Sequence, residues 1–243
     1  MYRVLEVKNL NKSYHEFCLE NISFDIERGK IVGFIGTNGA GKSTTIKSIL
    51  GLIHSKYDKL EYFGTRLSKE VKNKLAVVLD EGYFYEDLTI NQMKSVIAPA
   101  YKNWEEEKFE ELLVRFGLDK KQKISTLSKG MKMKFAIALA LAHRAELIIM
   151  DEPTSGLDPL VRSDLMDLLK EVVTKENCSI LFSTHIISDL EKIADKIIFI
   201  KNGKIVFEEE KDKLLEKYKD IIVDKEQINV EDIMLYHVKG GLE

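Results

Sequence analysis

The sequence predicts an α/β protein with a mainly parallel core sheet and an inserted helical subdomain. Three observations carry this. Ile31-Val32-Gly33-Phe34-Ile35 is a short β-branched run that suits a buried parallel strand, and a glycine-rich turn and a helix follow it. Leu147-Ile148-Ile149-Met150 is a second continuous apolar run, and it ends in Asp151-Glu152. Strand and helix patterns then alternate as far as Asn202-Gly203, the strongest short hairpin signal in the chain.

In chain order, Val4 to Val7 and Cys18 to Phe24 read as strands ahead of the Ile31 run. Thr44 to Leu50 reads as a helix, with Gly51 as its stop. From about 83 to 141 the periodicity is helical. Asn103 is expected to cap one helix, with Glu106 completing a capping box. Phe109, Leu112, Leu113 and Phe116 share its apolar face and Gly117 ends it. Gln92 reads as the start of an earlier helix. After the Leu147 strand, Val161, Leu165, Leu168, Leu169 and Val172 mark a helix, Ser179 to Phe182 a strand, and Ile186 to Ile193 a short helix. Lys196 to Ile200 and Lys204 to Phe207 flank the hairpin turn. Residues 1–210 are expected to form one domain, and 211–243 a small charged appendage.

With 243 residues, 44% apolar and 32% charged, the chain has enough apolar sequence for a core and enough charge to solvate it. A net charge of −3 gives no global attraction to nucleic acid or anionic lipid. No apolar run approaches the roughly 18 residues of a spanning helix, and Met1 to Glu6 lacks a signal peptide's apolar segment. A cytosolic protein is the expectation. Cys18 and Cys178 match no metal spacing and are expected to be packed, reduced thiols.

Gly36-Thr37-Asn38-Gly39-Ala40-Gly41-Lys42-Ser43 fits the phosphate-loop pattern G-x-x-x-x-G-K-[ST] between a strand and a helix. Such a turn aims backbone N–H groups at one point and adds the helix dipole. Lys42 would pair with the β- and γ-phosphates, and the Ser43 hydroxyl would ligate Mg²⁺. A plain glycine turn closing a βα unit would not need glycine, lysine and serine at these offsets. The strand ending at Asp151 can deliver that carboxylate to a Mg²⁺ shell, and Glu152 can polarise a water beside the γ-phosphate. On its own, an Asp-Glu pair is an ordinary solvated turn. Downstream of a phosphate loop and followed by Pro153-Thr154-Ser155-Gly156-Leu157-Asp158, it reads as a site.

Gly36–Thr44, Leu127-Ser128-Lys129-Gly130-Met131, Asp151-Glu152-Pro153-Thr154, Ser155-Gly156-Leu157-Asp158 and Ser183-Thr184-His185 follow the order and spacing of ATP-binding cassette (ABC) ATPases. The resemblance covers about residues 2–210. It implies a P-loop NTPase of ABC type, in which an N-terminal antiparallel β-subdomain joins the parallel core and the helical subdomain. It also implies ATP and Mg²⁺ as ligands. Asn38, Gly39, Ala40, Gly41, Lys42, Ser43 and Thr44 would hold the phosphates, with Ser43 and Asp151 on the metal. Glu152 and His185 match the catalytic glutamate and the switch histidine. Tyr14 matches the aromatic that stacks on adenine, the alternative being a strand-end core aromatic. Ser128 and Gly130 match the signature that faces a γ-phosphate on the partner subunit, and Ser128 also suits a plain helix N-cap. Asp158 matches the aspartate that communicates between sites.

The sequence departs from the family pattern in two places. Lys129 and Met131 replace a glycine and a glutamine of the usual signature, and Lys129 either lends charge near phosphate or points to solvent. Asp80 stands where the family's Q-loop has glutamine; it can still bind Mg²⁺ but adds negative charge near phosphate. The resemblance implies a head-to-tail homodimer or heterodimer with a second cassette, and integral membrane permease subunits driven by it. That places the chain in the cytoplasm, peripheral on the inner face of the cell membrane. Asp80-Glu81-Gly82-Tyr83-Phe84-Tyr85 lies where such cassettes receive a coupling helix, so the three aromatics are either docking residues or loop packing. The overall look, including the Leu127-Ser128-Lys129-Gly130-Met131 signature, is similar to bacterial exporter ATPases for peptide or antibiotic efflux. The competing class is a soluble ABC ATPase acting on nucleic acid or protein assembly. Its relatives carry two cassettes or a long coiled coil, and no nucleic acid is expected here. A purely regulatory cassette is disfavoured by Lys42, Asp151, Glu152 and His185 occurring together.

Overall fold

Residues 2–79, 84–222 and 228–239 are described by a computed structural model, and they fall around two sheets. In the smaller sheet, β1 (Arg3–Ser13) pairs antiparallel with β2 (Cys18–Glu27) and with β4 (Lys59–Tyr62). β1 runs well past the predicted Val7. Asn9 takes a left-handed φ of 51° within a register shift between Val7 and Leu10, and this returns Leu10 to the core after two exposed residues.

The larger sheet has six strands in the order β5-β6-β7-β3-β8-β9: β3 (Ile31–Ile35), β5 (Leu75–Val78), β6 (Leu147–Asp151), β7 (Ser179–Thr184), β8 (Lys196–Lys201) and β9 (Lys204–Glu210). All pairings are parallel except β8–β9, the hairpin predicted at Asn202-Gly203. Both turn residues have positive φ, 48° and 74°, as a primed two-residue turn requires. Every residue of β3, β6 and β7 is buried, because both faces of this sheet are covered. Ile31, Ile148 and Ile180 enter one core with the helices; Val32, Phe34, Leu147, Ile149 and Leu181 enter a second core with β1, β2 and α1 (Lys42–Ile49).

α2 (Lys69–Lys72) leads into β5, and between β5 and β6 lie α3 (Ile90–Ile97), α4 (Glu106–Phe116) and α5 (Lys129–Ala142). Gln92 is the third residue of α3, in a capping box with Thr89. Asn103 does not cap α4. The helix starts three residues later, its N-cap is Glu105, and the Glu105 carboxylate is taken by Arg144. Phe109, Leu112 and Leu113 are buried as expected, and Gly117 closes the helix at φ 66°. α6 (Pro159–Glu176) and α7 (Ile187–Ile193) follow β6 and β7. Beyond residue 210, α8 (Lys211–Lys219) and α9 (Val230–Val238) pack Leu214, Val230 and Ile233 into the main core with Phe199. Among the described residues no helix is long and apolar enough to cross a membrane.

Both cysteines are free, as predicted. Cys178 is buried and its thiol is pushed up to about 12. Cys18 is half-buried, and hydrogen bonding to the Glu20 carboxylate raises its pKa first, with burial adding to it. Because only the thiolate reacts, iodoacetamide at pH 8 is expected to label Cys18 more slowly than free cysteine, and Cys178 only once the protein unfolds. Prompt labelling of both in the native protein would contradict these environments.

Candidate functional site

Three parallel strands deliver the site. β6 and β7 are in register at Asp151 and Ser183, while β7 and β3 are in register at Thr184 and Ile35. The turns that leave their carboxyl ends therefore emerge at one edge, where ligands of open α/β sheets collect. The phosphate loop leaves β3 and enters α1. Gly41 is the helix N-cap at φ 113°, and a Cβ there would lie 2.6 Å from Leu19 and 2.9 Å from Phe17. Only glycine fits this position. Ala40 N donates to the Thr37 carbonyl within the loop, and Gly203 N donates to the Ala40 carbonyl from the β8–β9 turn. Thr45 anchors α1 by donating its hydroxyl to the Gly41 carbonyl at 2.9 Å. Thr44 is half-buried, whereas Asn38 and Gly39 are exposed.

Lys42 is buried, and its Nζ donates to the Gly36 carbonyl at 2.8 Å. It also pairs with Glu152 Oε1 at 3.2 Å. Glu152 Oε2 in turn meets His185 Nδ1 at 2.7 Å and accepts from His185 N at 3.3 Å. One carboxylate thus bridges the lysine of the first turn and the histidine after β7. Glu152 holds φ 49°, a left-handed conformation that is costly for a residue with a side chain. Bonds from Glu152 N to the Ser183 carbonyl and from Ser155 N to the Glu152 carbonyl fix it there.

Asp151 is buried behind this pair and accepts from the Ser183 hydroxyl at 2.9 Å. Burial raises its pKa, while hydrogen bonds from Ser43 and Ser183 oppose the rise. Ser43 and Asp151 are therefore adjacent. Their chemistry fits a hard divalent cation: one carboxylate and one hydroxyl, with the remaining positions left to phosphate oxygens and water. The described residues hold no group of three or more His, Cys, Asp or Glu side chains suited to a metal. Asp80 lies outside the described residues, as do Glu81, Gly82 and Tyr83.

Ser128, Gly130 and Asp158 form a second group at two helix N-termini. Ser128 is exposed and caps α5 by accepting from Met131 N at 3.2 Å. Gly130 is buried against α6, where a Cβ would sit 2.5 Å from Val161. Asp158 caps α6 by accepting from Leu160 N and Val161 N at 3.1 and 3.0 Å. The Lys129 side chain runs along Gly156. Tyr14 is half exposed at the end of β1, under the Lys12 ammonium at 4.8 Å. Phe17 packs against Gly41 of the phosphate loop and Ser183 partners Asp151, roles that the motifs alone do not assign to them. Ser183 is the first residue of the recognised Ser183-Thr184-His185 motif; Phe17 carries no local signal.

The family model for ABC transporters matches residues 19–155. The chain belongs to the ABC transporter family. As a member, it is an ATP-binding ATPase subunit, and its fold agrees with that of solved relatives. An ATP-binding subunit of an ABC transporter superposes with a TM-score of 0.84 at 31% identity, covering 97% of this chain and 99% of the other. The lantibiotic transport ATP-binding protein SrtF of Streptococcus pyogenes is 34% identical over 212 residues, 86% of this chain and 92% of SrtF. The bacitracin transport ATP-binding protein BcrA of Bacillus licheniformis is 32% identical over 214 residues, 86% of this cassette and 70% of BcrA.

Proposed function

We propose that this cassette hydrolyses ATP at Glu152 to power an exporter of peptide antibiotics, as one of two head-to-tail subunits beneath separate membrane-spanning ones. The observation that carries the reading is the convergence of Lys42, Asp151, Glu152 and His185 at one sheet edge. The substrate class rests on the printed functions of BcrA and SrtF. Backbone N–H groups of Asn38 to Thr44 take the phosphates. Lys42 exchanges the Gly36 carbonyl and Glu152 for the β- and γ-phosphates. Ser43 and Asp151 would hold Mg²⁺, which when bound would neutralise charge developing on the phosphates. The Glu152 carboxylate accepts a proton from the attacking water, and His185 holds that carboxylate in place.

Ser128, Gly130 and Asp158 serve the partner's nucleotide in this reading. Support comes from the exposed Ser128 hydroxyl at the N-terminus of a 14-residue helix, whose dipole favours an anion. Further support comes from Leu160, which is 73% exposed beside Asp158 and would be covered by a second cassette. Turnover is measured against protein concentration, with mass determined by light scattering in ATP. A more than linear rise accompanied by a dimer is expected; linear turnover from a monomer would refute the composite site.

An apolar groove of about 350 Å³ lies between α1 and the helical segment, lined by Leu52, Leu67, Val77, Leu79 and Tyr101 among others. Its lining residue Leu79 immediately precedes, in sequence, the segment aligned with the family's Q-loop. We assign it to a short helix of the membrane subunit, which places docking on these residues as well as on Phe84 and Tyr85. Leu52→Asp is expected to cut the stimulation of turnover by the reconstituted membrane subunits about tenfold or more. Unchanged stimulation would move the docking site elsewhere.

A further inference from the structure

Behind the site, three polar side chains from three different functional turns meet in the protein interior. Thr154 follows Glu152 by two residues, Arg162 lies in the first turn of α6 after Asp158, and Asp189 lies in the first turn of α7 after His185. Thr154 and Asp189 are buried and Arg162 is partly so. Thr154 Oγ1, Arg162 Nε and Asp189 Oδ2 are all shielded from solvent without a hydrogen-bond partner. Buried polar atoms are ordinarily paired, because each one left unpaired forfeits its hydration. Three together in one place are therefore a feature to explain.

Their spacing suggests the explanation. Arg162 Nε stands 4.0 Å from Asp189 Oδ1, within ion-pair range but about an ångström too long for a hydrogen bond. The Thr154 hydroxyl is near enough to favour the Asp189 anion, yet it makes no hydrogen bond of normal geometry. Arg162 also reaches the Leu157 carbonyl at 3.3 Å, in the turn that leads to Asp158. Around Asp189, the other groups acting on its charge are Lys192 on its own helix and His185 just ahead of it. Lys192 is engaged with Ser163 of α6 at 2.7 Å. A shift of about an ångström between α6 and α7 would bring Arg162 Nε into hydrogen-bond range of the Asp189 carboxylate.

We propose that Thr154, Arg162 and Asp189 form a joint that closes in the nucleotide-bound cassette, with Asp189 and Arg162 acting as positioning residues that lock the His185 turn to the Asp158 turn. None of them touches nucleotide. When the joint is closed, a displacement of His185 is transmitted through α7 to Arg162, and from there to the Leu157 carbonyl and Asp158. The site next to Glu152 and the face offered to a second cassette then move as one unit. The proposal rests on the hydrolytic reading given above.

The test compares wild type with Asp189→Asn, Asp189→Glu, Arg162→Gln and the double variant Asp189→Asn/Arg162→Gln. It measures ATP turnover, mant-ATP affinity, and Tm with and without ATP. Asp189→Asn is expected to lower kcat about tenfold or more, since misplacing a reacting group by an ångström has costs of that size. Its mant-ATP Kd should stay within about twofold of wild type, as expected when only transition-state geometry is lost. Its Tm without ATP should not fall, because the amide replaces a buried carboxylate with an unpaired oxygen, but ATP should raise Tm less than in wild type. Asp189→Glu adds one methylene, spans the gap and should restore kcat. The double variant should lose no more than the worse single variant.

Wild-type kcat and a wild-type ATP-induced Tm shift in Asp189→Asn would overturn the joint. So would kcat losses that merely follow lowered Tm across all variants, which is the behaviour of a structural contact. Glu152→Gln measured alongside separates the two readings: if it turns over normally, the hydrolytic assignment fails whatever Asp189 does. If wild type alone shows no turnover, the Tm arm decides, and equal ATP-induced shifts in wild type and Asp189→Asn refute the proposal.

Discussion

Replacing Glu152 by glutamine is expected to lower ATP turnover about a hundredfold to ten-thousandfold, the usual contribution of a positioned general base. The change is nearly isosteric. An amide oxygen can still accept from His185 N as the carboxylate does at 3.3 Å, and the strained φ of 49° keeps its backbone supports. What is lost is the negative charge. The amide cannot take a proton from water, and it cannot hold Lys42 as an ion pair at 3.2 Å. Removing that competitor frees the ammonium for phosphate, so mant-ATP should bind Glu152→Gln at least as tightly as wild type. Light scattering should then find the variant as a long-lived dimer in ATP. Turnover within tenfold of wild type would mean that the water is activated elsewhere.

Gly203→Ala is expected to cost about 3 kcal/mol or more, through both a left-handed backbone and a backbone clash. At φ 74°, a Cβ would lie 1.8 Å from the Cys18 carbonyl oxygen and 2.9 Å from its carbon, and neither can swing aside as a side chain would. The same residue donates to the Ala40 carbonyl and accepts from Glu20 N, so it fastens β2, the hairpin and the phosphate loop together. At 2–4 °C per kcal/mol for a chain of this size, Tm should fall by about 6–12 °C, and mant-ATP affinity should fall with it. Gly39→Ala is the control. Its φ is also positive, at 79°, but the added Cβ meets nothing within 4 Å, so a smaller loss is expected. Equal losses in the two variants would assign the whole effect to backbone conformation.

The sequence made the core strands and the chemistry legible because both are local patterns. β3, β6 and β7 are short apolar runs buried on both faces, and Lys42, Asp151, Glu152 and His185 sit at fixed offsets from them. Features decided by distant residues stayed hidden. Asn103 and Glu106 have capping-box spacing, yet Arg144 engages Glu105 and the helix starts beyond it. Between Lys8 and Ser13 only Leu10 is apolar, which masks the second half of β1, since the kink at Asn9 shifts the alternation by one residue. No motif shows that Phe17 lies under Gly41, or that Asp189 faces Arg162 and Thr154.

The strand order also bears on how this chain is made. Ile31 pairs with Ile180 on one side of β3, and Val32 pairs with Lys196 on the other. Both neighbours of the strand that leads into the phosphate loop are thus synthesised some 150 residues after it. At 5–20 residues per second, the ribosome takes roughly 8–30 s to supply them. During that interval the antiparallel β2-β1-β4 sheet, complete by Tyr62, can form on the nascent chain. The parallel sheet must wait, with the apolar β3 unpaired on both edges. Such long-range pairing slows folding and leaves sticky edges exposed, which makes chaperone demand in this protein greatest just before residue 180 emerges.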